Sequence, residues 1–572
     1  NPVLADLKPI ANKEMIQHLF DSKTELLLEL YQRTGDKNYL NACLRTALVN
    51  DSLLGEMRHE QLGEQSKLYW RDQTRDFFAH AIEACYLAGD NDLAFYFMEK
   101  SRSVLLQDKL NELGASAYLP PKEAARQEKL QIDRIELQQR LGSLPDSSPA
   151  RGAIQKQLLT SKERLEQYIR SLESSYPTYY QYKYADQVTS LGALQEFLAK
   201  NNQSFVDYFV QDTLCYALCV QPHAIKFIRV AGGGPNFEDQ LARFVRFCSD
   251  ENALNKDFPA FLRAANELYE LLFKPFALKG GRVIVCMDNY LVPFEALSAN
   301  PQKADYLIND YSFSYVYSAR YLLNPTAPVE GKGDFLGIAP IHFAAFTGLP
   351  DLQGSEDALR ICSAPFGRRK LLLRVEASRK NFIEQVAHYN TSTILTHARA
   401  DSSDEEPLLF MNDSVIHLSE LQLLDKPAAK LIILSACQTN VGKNRSGEGV
   451  FSLARGFSAA GIPAVAATQW AADETAIYSI SQKFNEYIYA GMNKDEALRK
   501  AKLFYMQQDR HGSPLPCYWA DMILIGNTEP VRFASGWGIG WRLPGGAILA
   551  LAGLFLLLSV TITRLVRSRV KQ

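Results

Sequence analysis

Two apolar runs in this sequence each end in a side chain able to do acyl-transfer chemistry: `ILTHARA` reaches His397 and `LIILSACQTN` reaches Cys437. Cysteine attacks carbonyls as the thiolate. A neighbouring imidazole lowers the thiol's pKa and later protonates the leaving amine, so a Cys/His pair on adjacent strand ends suits nucleophilic catalysis. A lone pair of this kind is weak, because free cysteines are usually small buried hydrophobes. The segment after Cys437 is more specific. The polar loop `QTNVGKNRSGEG`, with Gly442, Gly447 and Gly449, leads into an apolar helix, `VFSLARGFSAAG`. Glycines let such a loop turn tightly and present N–H groups, and the amide of Cys437 can help bind an oxyanion. Ser435 and Thr439 flank the nucleophile as local caps, and packing explains His388 and His417.

The elements that must position this pair can be read from hydrophobic periodicity. Beyond about residue 185 short β-rich runs appear: `SFVDYFV`, `LCYALCV`, `IKFIRV`, `RVIVCM`, `DFLGIA`, `TSTILTH`, `KLIILSAC`, `PAVAATQW` and `ADMILIG`. Helical stretches lie between many of them, which predicts an α/β unit with a mostly parallel sheet covered on both faces and its active edge at the strands' carboxyl ends. Residues 10 to 115 read as all-helical. The breaks `TGDKNY` and `AGDND` share the pattern in which Gly ends one helix and small residues let the next pack closely, as in tetratricopeptide repeats; the breaks stand about 54 residues apart against the usual period of about 34. From Pro120 to about Tyr179 two charged amphipathic helices around `GSLPDSSPARG` predict a helical hairpin.

The resemblance to a known family is close. The stretch `LIILSACQTNVGKNRSGEGVFSLARGFSAAGIPAVAATQWAADE` resembles the core of the CHAT family, caspase-like cysteine peptidases related to separase and often fused to tetratricopeptide repeats. `GGRVIVCMDNYLVPFEAL`, `YSARYLL`, `FLGIAP`, `ILTHARA` and `YWADMILIG` resemble further family landmarks in the same order. The resemblance implies a caspase/hemoglobinase α/β domain over about residues 185 to 527. It implies a cysteine-type endopeptidase with Cys437 as nucleophile and His397 as general acid/base, an oxyanion hole from the backbones of Cys437 and Ala398, and no cofactor. Family members commonly have Gly after the histidine, where this sequence has Ala398. The same domains without activity would make an inert scaffold or sensor. Candidate substrate-pocket residues are Asp473, Glu474, Trp470 and Glu448, with Asp473 and Glu474 equally able to form a helix N-terminus. The expected organisation is 1–115 atypical helical repeats, 116–184 hairpin spacer, 185–330 the first part of the CHAT domain, 331–528 the peptidase core and 529–542 a linker.

Leu543 to Thr563 then reads as a transmembrane helix, about 21 residues without a charge between Trp537 and Trp541 on one side and the basic tail 564–572 on the other. The positive-inside rule places that tail in the cytoplasm and the catalytic domain outside, whereas a free catalytic thiol suits the cytoplasm. With a formal net charge of −2 over 572 residues, 22% charged and 47% hydrophobic, the chain has no basic field for nucleic acid. The expected partners are a protein substrate, a protein partner or activator on the helical repeats, and a membrane. The nine cysteines are scattered, and Cys215 and Cys219 fall on one apolar strand where both thiols pack, so no metal site is expected.

Overall fold

A computed structural model describes residues 12–60, 69, 73–102, 104–142, 144, 147–185, 188–211, 214–230, 235–287, 292–323, 329–344, 347–399, 407–421, 424, 427–435, 443–445, 449–471, 473–508 and 515–533. Helices Lys13–Thr34 and Lys37–Glu60 form one antiparallel pair, and Arg75–Ala88 and Asn91–Lys100 a second. Gly35 (φ 70°) and Gly89 (φ 71°) end the first helix of each pair in the left-handed conformation that favours glycine. Val104–Ser116 comes next, then Pro121–Gly142 and Arg151–Ser175 pack together.

Sixteen strands lie beyond the helical region among the described residues: β1 Gln203–Gln211, β2 Leu214–Gln221, β3 Ala224–Arg229, β4 Gly281–Met287, β5 Tyr311–Val316, β6 Gly333–Ala339, β7 Arg369–Leu373, β8 Tyr389–Leu395, β9 Ala398–Arg399, β10 Leu408–Phe410, β11 Val415–His417, β12 Leu431–Ser435, β13 Lys443–Arg445, β14 Gly449–Phe451, β15 Ala464–Thr468 and β16 Met522–Gly526. Eleven make one sheet in the order β3-β2-β1-β4-β5-β16-β15-β12-β8-β6-β7. The block β15-β12-β8-β6-β7 is parallel throughout, as is β1-β4-β5, while β16 runs antiparallel to β15 and β1-β2-β3 is antiparallel. Tyr315 of β5 pairs with Ile525 of β16, so the stretches 185–330 and 331–528 share one continuous sheet.

Strand alternation sends neighbours to opposite faces, and both faces are buried. In β1 and β4, Val206, Tyr208, Val283 and Val285 enter the main core, whereas Phe205, Phe209, Ile284 and Cys286 enter a second cluster with Phe77, Phe78, Ala81 and Phe97 of the helical region. Helices Ser355–Ser363 and Glu474–Tyr489 pack together over β6, β8 and β12. An all-helical region docked on a mostly parallel α/β sheet agrees with the predicted fold apart from its membrane span.

That predicted span requires correction. Among the described residues no helix is long and apolar enough to cross a membrane. The long helices carry charges along one face, as in Arg151–Ser175 with Lys156, Lys162, Glu163, Arg164, Glu166, Arg170 and Glu173. Such a face cannot be left in hydrocarbon. The stretch 543–563, residues 534–542 of the linker and the basic tail lie outside the described residues. A single-pass membrane localisation is therefore not supported, and neither is the side-of-membrane argument that depended on it.

Candidate active site

The site is built on the parallel pair β8 and β12. Leu395 and Ser435 are register partners at the carboxyl ends of these strands. His397 lies two residues beyond Leu395, and in the sequence Cys437 lies two beyond Ser435. Cys437, Thr439 and Glu448 lie outside the described residues. The glycine-bearing stretch includes a short antiparallel ladder, β13 with β14, in which Arg445 faces Gly449. Helix Leu453–Ala459 begins after it, Ser452 accepting from the Arg455 N–H at its start, so the first residues of the predicted helix are strand instead.

His397 is half-buried, and the structure fixes its ring from two directions. Nε2 lies 2.9 Å from the Pro350 carbonyl oxygen. A carbonyl only accepts, so this geometry requires the proton on Nε2 and leaves Nδ1 as the free base when the ring is neutral. The Phe343 ring lies 4.8 Å from the imidazole, tilted by 52°. The main chain is held as well: Phe410 N–H donates to the His397 carbonyl at 3.0 Å, and Thr396 Oγ1 donates to the Phe410 carbonyl. Ala398 belongs to β9, paired with Leu409. It is not among the positive-φ residues, so an L side chain is accommodated there without the strain a glycine-only backbone would impose.

The other eight cysteines are all buried. Burial pushes the thiols of Cys43, Cys215, Cys219, Cys362 and Cys517 up to about 12, and those of Cys85, Cys248 and Cys286 well above their ordinary value. Burial of this kind disfavours the thiolate form in all eight. Ser435 exchanges a hydrogen bond with Ser481 at 2.8 Å beneath the strand end, inside the core.

The predicted pocket residues separate. Trp470 is buried, its indole N–H donating to the Cys517 carbonyl at 3.0 Å. Asp473 caps helix Glu474–Tyr489, accepting from the Ala476 N–H at 2.9 Å, and both Asp473 and Glu474 are exposed. Sequence reasoning missed Pro350 and Phe343. Pro350 acts through its main-chain oxygen, which residue type does not reveal. It also missed Asp521, one residue before β16. Its Oδ1 accepts from the Gln469 and Trp470 N–H groups at 2.8 and 2.9 Å, binding the segment that leaves β15.

Residues 262–527 match the CHAT domain. The match starts inside helix Phe258–Leu268 and ends just past β16, so the matched stretch contains both His397 and Cys437 and leaves the helical region outside it. No curated protein matches the chain. Among solved structures, the Arg-specific cysteine proteinase gingipain R overlaps 49% of this chain and 69% of its own, at 11% identity and a TM-score of 0.31. Two structures of the Saccharomyces cerevisiae separase–securin complex overlap 91% of this chain, at 10% and 9% identity and TM-scores of 0.41 and 0.39. This chain spans about half of those separase chains, 47% and 48%. Overlaps this loose add nothing to the reading of the site.

Proposed function

We propose that the chain is a cysteine endopeptidase acting through a Cys437/His397 dyad. The observation that supports this reading is the pairing of Leu395 with Ser435 at adjacent parallel strand ends, His397 and Cys437 each following two residues later in the sequence. Nδ1 of His397 accepts the thiol proton, the thiolate adds to the scissile carbonyl, and the imidazolium returns the proton to the departing amine. Water, deprotonated by the same ring, then releases the acyl group and regenerates the thiol. The N–H groups of Cys437 and Ala398 serve as oxyanion donors. The substrate pocket is assigned to the segment leaving β15, with exposed Asp473 and Glu474 as its acidic groups, Trp470 behind its wall and Glu448 anchoring the loop. The helix pairs of the first hundred residues, read as tetratricopeptide-like repeats, offer the surface for a protein partner that activates or aims the enzyme.

The test is cleavage of a peptide library by the full chain beside Cys437→Ala and His397→Ala. Each substitution should lower turnover by on the order of a thousandfold or more. Cleavage by Cys437→Ala equal to that of the unaltered chain would reject the dyad.

A further inference from the structure

The carbonyl that holds His397 belongs to a segment with its own fastenings. Chain leaving β6 turns at Ile341, a buried β-branched residue held at φ 65°, in the left-handed region such side chains avoid. The Leu352 N–H donates to the Ile341 carbonyl at 3.0 Å, closing the turn across its neck. Just above that neck, His342 Nδ1 lies 2.8 Å from Asp351 Oδ2, and Gln353 Nε2 donates to the same oxygen at 3.4 Å. Asp351 is the residue next to Pro350.

A second tie joins this neck to the other side of the imidazole. Asn412 sits in the turn between β10 and β11. Its Nδ2 donates to the His342 carbonyl at 3.0 Å, and its own N–H donates to the Ala377 carbonyl at 3.0 Å. β10 is the strand whose Phe410 N–H holds the His397 carbonyl. The ring-side and backbone-side supports of His397 thus close into one circuit: Pro350, Asp351, His342, Asn412, β10 and back to His397.

We propose that Asp351, His342 and Asn412 are positioning residues for His397, fixing the Pro350 carbonyl so that the imidazole keeps its proton on Nε2 and presents Nδ1 to the nucleophile. This rests on the reading of His397 as the dyad's base. The side chains of His342 and Asp351 are 46% and 42% exposed. Pairs this exposed contribute little to global stability, so their removal leaves the fold standing and exposes the local effect.

The experiment uses the full chain with Asp351→Ala, Asp351→Glu, Asn412→Ala and His397→Ala. Three quantities are read: peptide turnover, the pH-dependent rate of Cys437 alkylation by iodoacetamide, and the melting temperature. Asp351→Ala and Asn412→Ala should each lower kcat on the order of tenfold with KM within about twofold, because a slightly misplaced base loses the reacting geometry and not substrate binding. Alkylation near neutral pH should slow in parallel, the melting temperature should hold, and Asp351→Glu should recover most of the loss. Unchanged kcat and alkylation in both alanine variants, while His397→Ala slows alkylation, would overturn the positioning role and leave the dyad intact. If His397→Ala itself leaves alkylation unchanged, the dyad reading falls and the positioning role with it. A melting temperature that drops in step with kcat would make these residues structural and also overturn the proposal.

Discussion

Asp521 has a carboxyl fully out of solvent, with two N–H donors on Oδ1 and none on Oδ2. Burial pushes this group from its ordinary 3.8 up to about 7, against the opposing pull of the Trp470 and Gln469 N–H groups and the Lys502 charge. The folded value lies above the unfolded one. Between roughly pH 4 and 7 the native chain therefore holds a proton that the unfolded chain has lost. The stabilisation is complete below about pH 4 and disappears as pH rises through 7. Asp521→Asn keeps an acceptor for the two amides and removes the charge, so its stability should be flatter across that window. Urea unfolding at pH 5 and pH 8 should show the unaltered chain losing up to about 3 kcal/mol more than the variant, since about two pH units of the window lie above pH 5. Equal losses would mean that the carboxyl is ionised and accommodated in the fold at pH 5. The sequence marked `YWADMILIG` as a closing strand without singling out this aspartate, because burial of a polar side chain depends on which segment crosses above it.

The antiparallel strand β16 is locked beside β15 by a contact that admits no side chain. Gly526 has φ 100°, and a Cβ there would sit 2.2 Å from the Pro463 carbonyl oxygen. That oxygen is already fixed, accepting from the Asn527 N–H at 2.7 Å. Gly526→Ala should cost about 3 kcal/mol or more, because both backbone strain and a main-chain clash must be absorbed. Gly491→Ala, at φ 82° with open space around it, should cost only about 1 kcal/mol. Urea midpoints compare the two, and similar losses would show that strain alone sets the cost. At this scale the sequence was largely legible. All nine β-rich runs are strands of the main sheet; for all but the edge strand β3, burial writes a nearly continuous apolar run. The two strands missed break that rule in different ways. β5, `YSFSYV`, is buried throughout yet carries Ser312 and Ser314, and β7, `RKLLL`, lies at the sheet edge with exposed Arg369 and Lys370. The reversal of β16 was invisible, since direction is set by connections and not by composition.

What the sequence could not indicate is how the helical region meets the α/β sheet. Arg102, in the turn after helix Asn91–Lys100, reaches 2.6 Å from Asp207 in β1, with the two side chains 1% and 0% exposed. It also donates to Cys286 of β4 and to the Met98 carbonyl. Beside it, buried Glu99 accepts from the Ala319 and Arg320 N–H groups just beyond β5. Asp207, Cys286, Ala319 and Arg320 stand more than a hundred positions from the residues they meet, beyond the reach of periodicity or local motifs. Helix Val104–Ser116 also packs against helix Leu453–Ala459, which follows β14. The helical region therefore has a short packed route to the start of that helix. Such a route works only if the two parts move as one body, and the Arg102–Asp207 pair is the place to test that. Arg102→Met removes the charge that compensates Asp207 while nearly keeping its length, and should cost about 3 to 5 kcal/mol. Adding Asp207→Leu should recover much of that loss, because an apolar pair carries no desolvation penalty. Urea unfolding followed by both helical circular dichroism and core tryptophan fluorescence should give coincident transitions in the unaltered chain and in the double variant. In Arg102→Met the helical signal should fall first. Coincident curves in that single variant would place the coupling in the apolar contacts of Phe77, Phe78 and Phe97 with the sheet instead of in the buried ion pair.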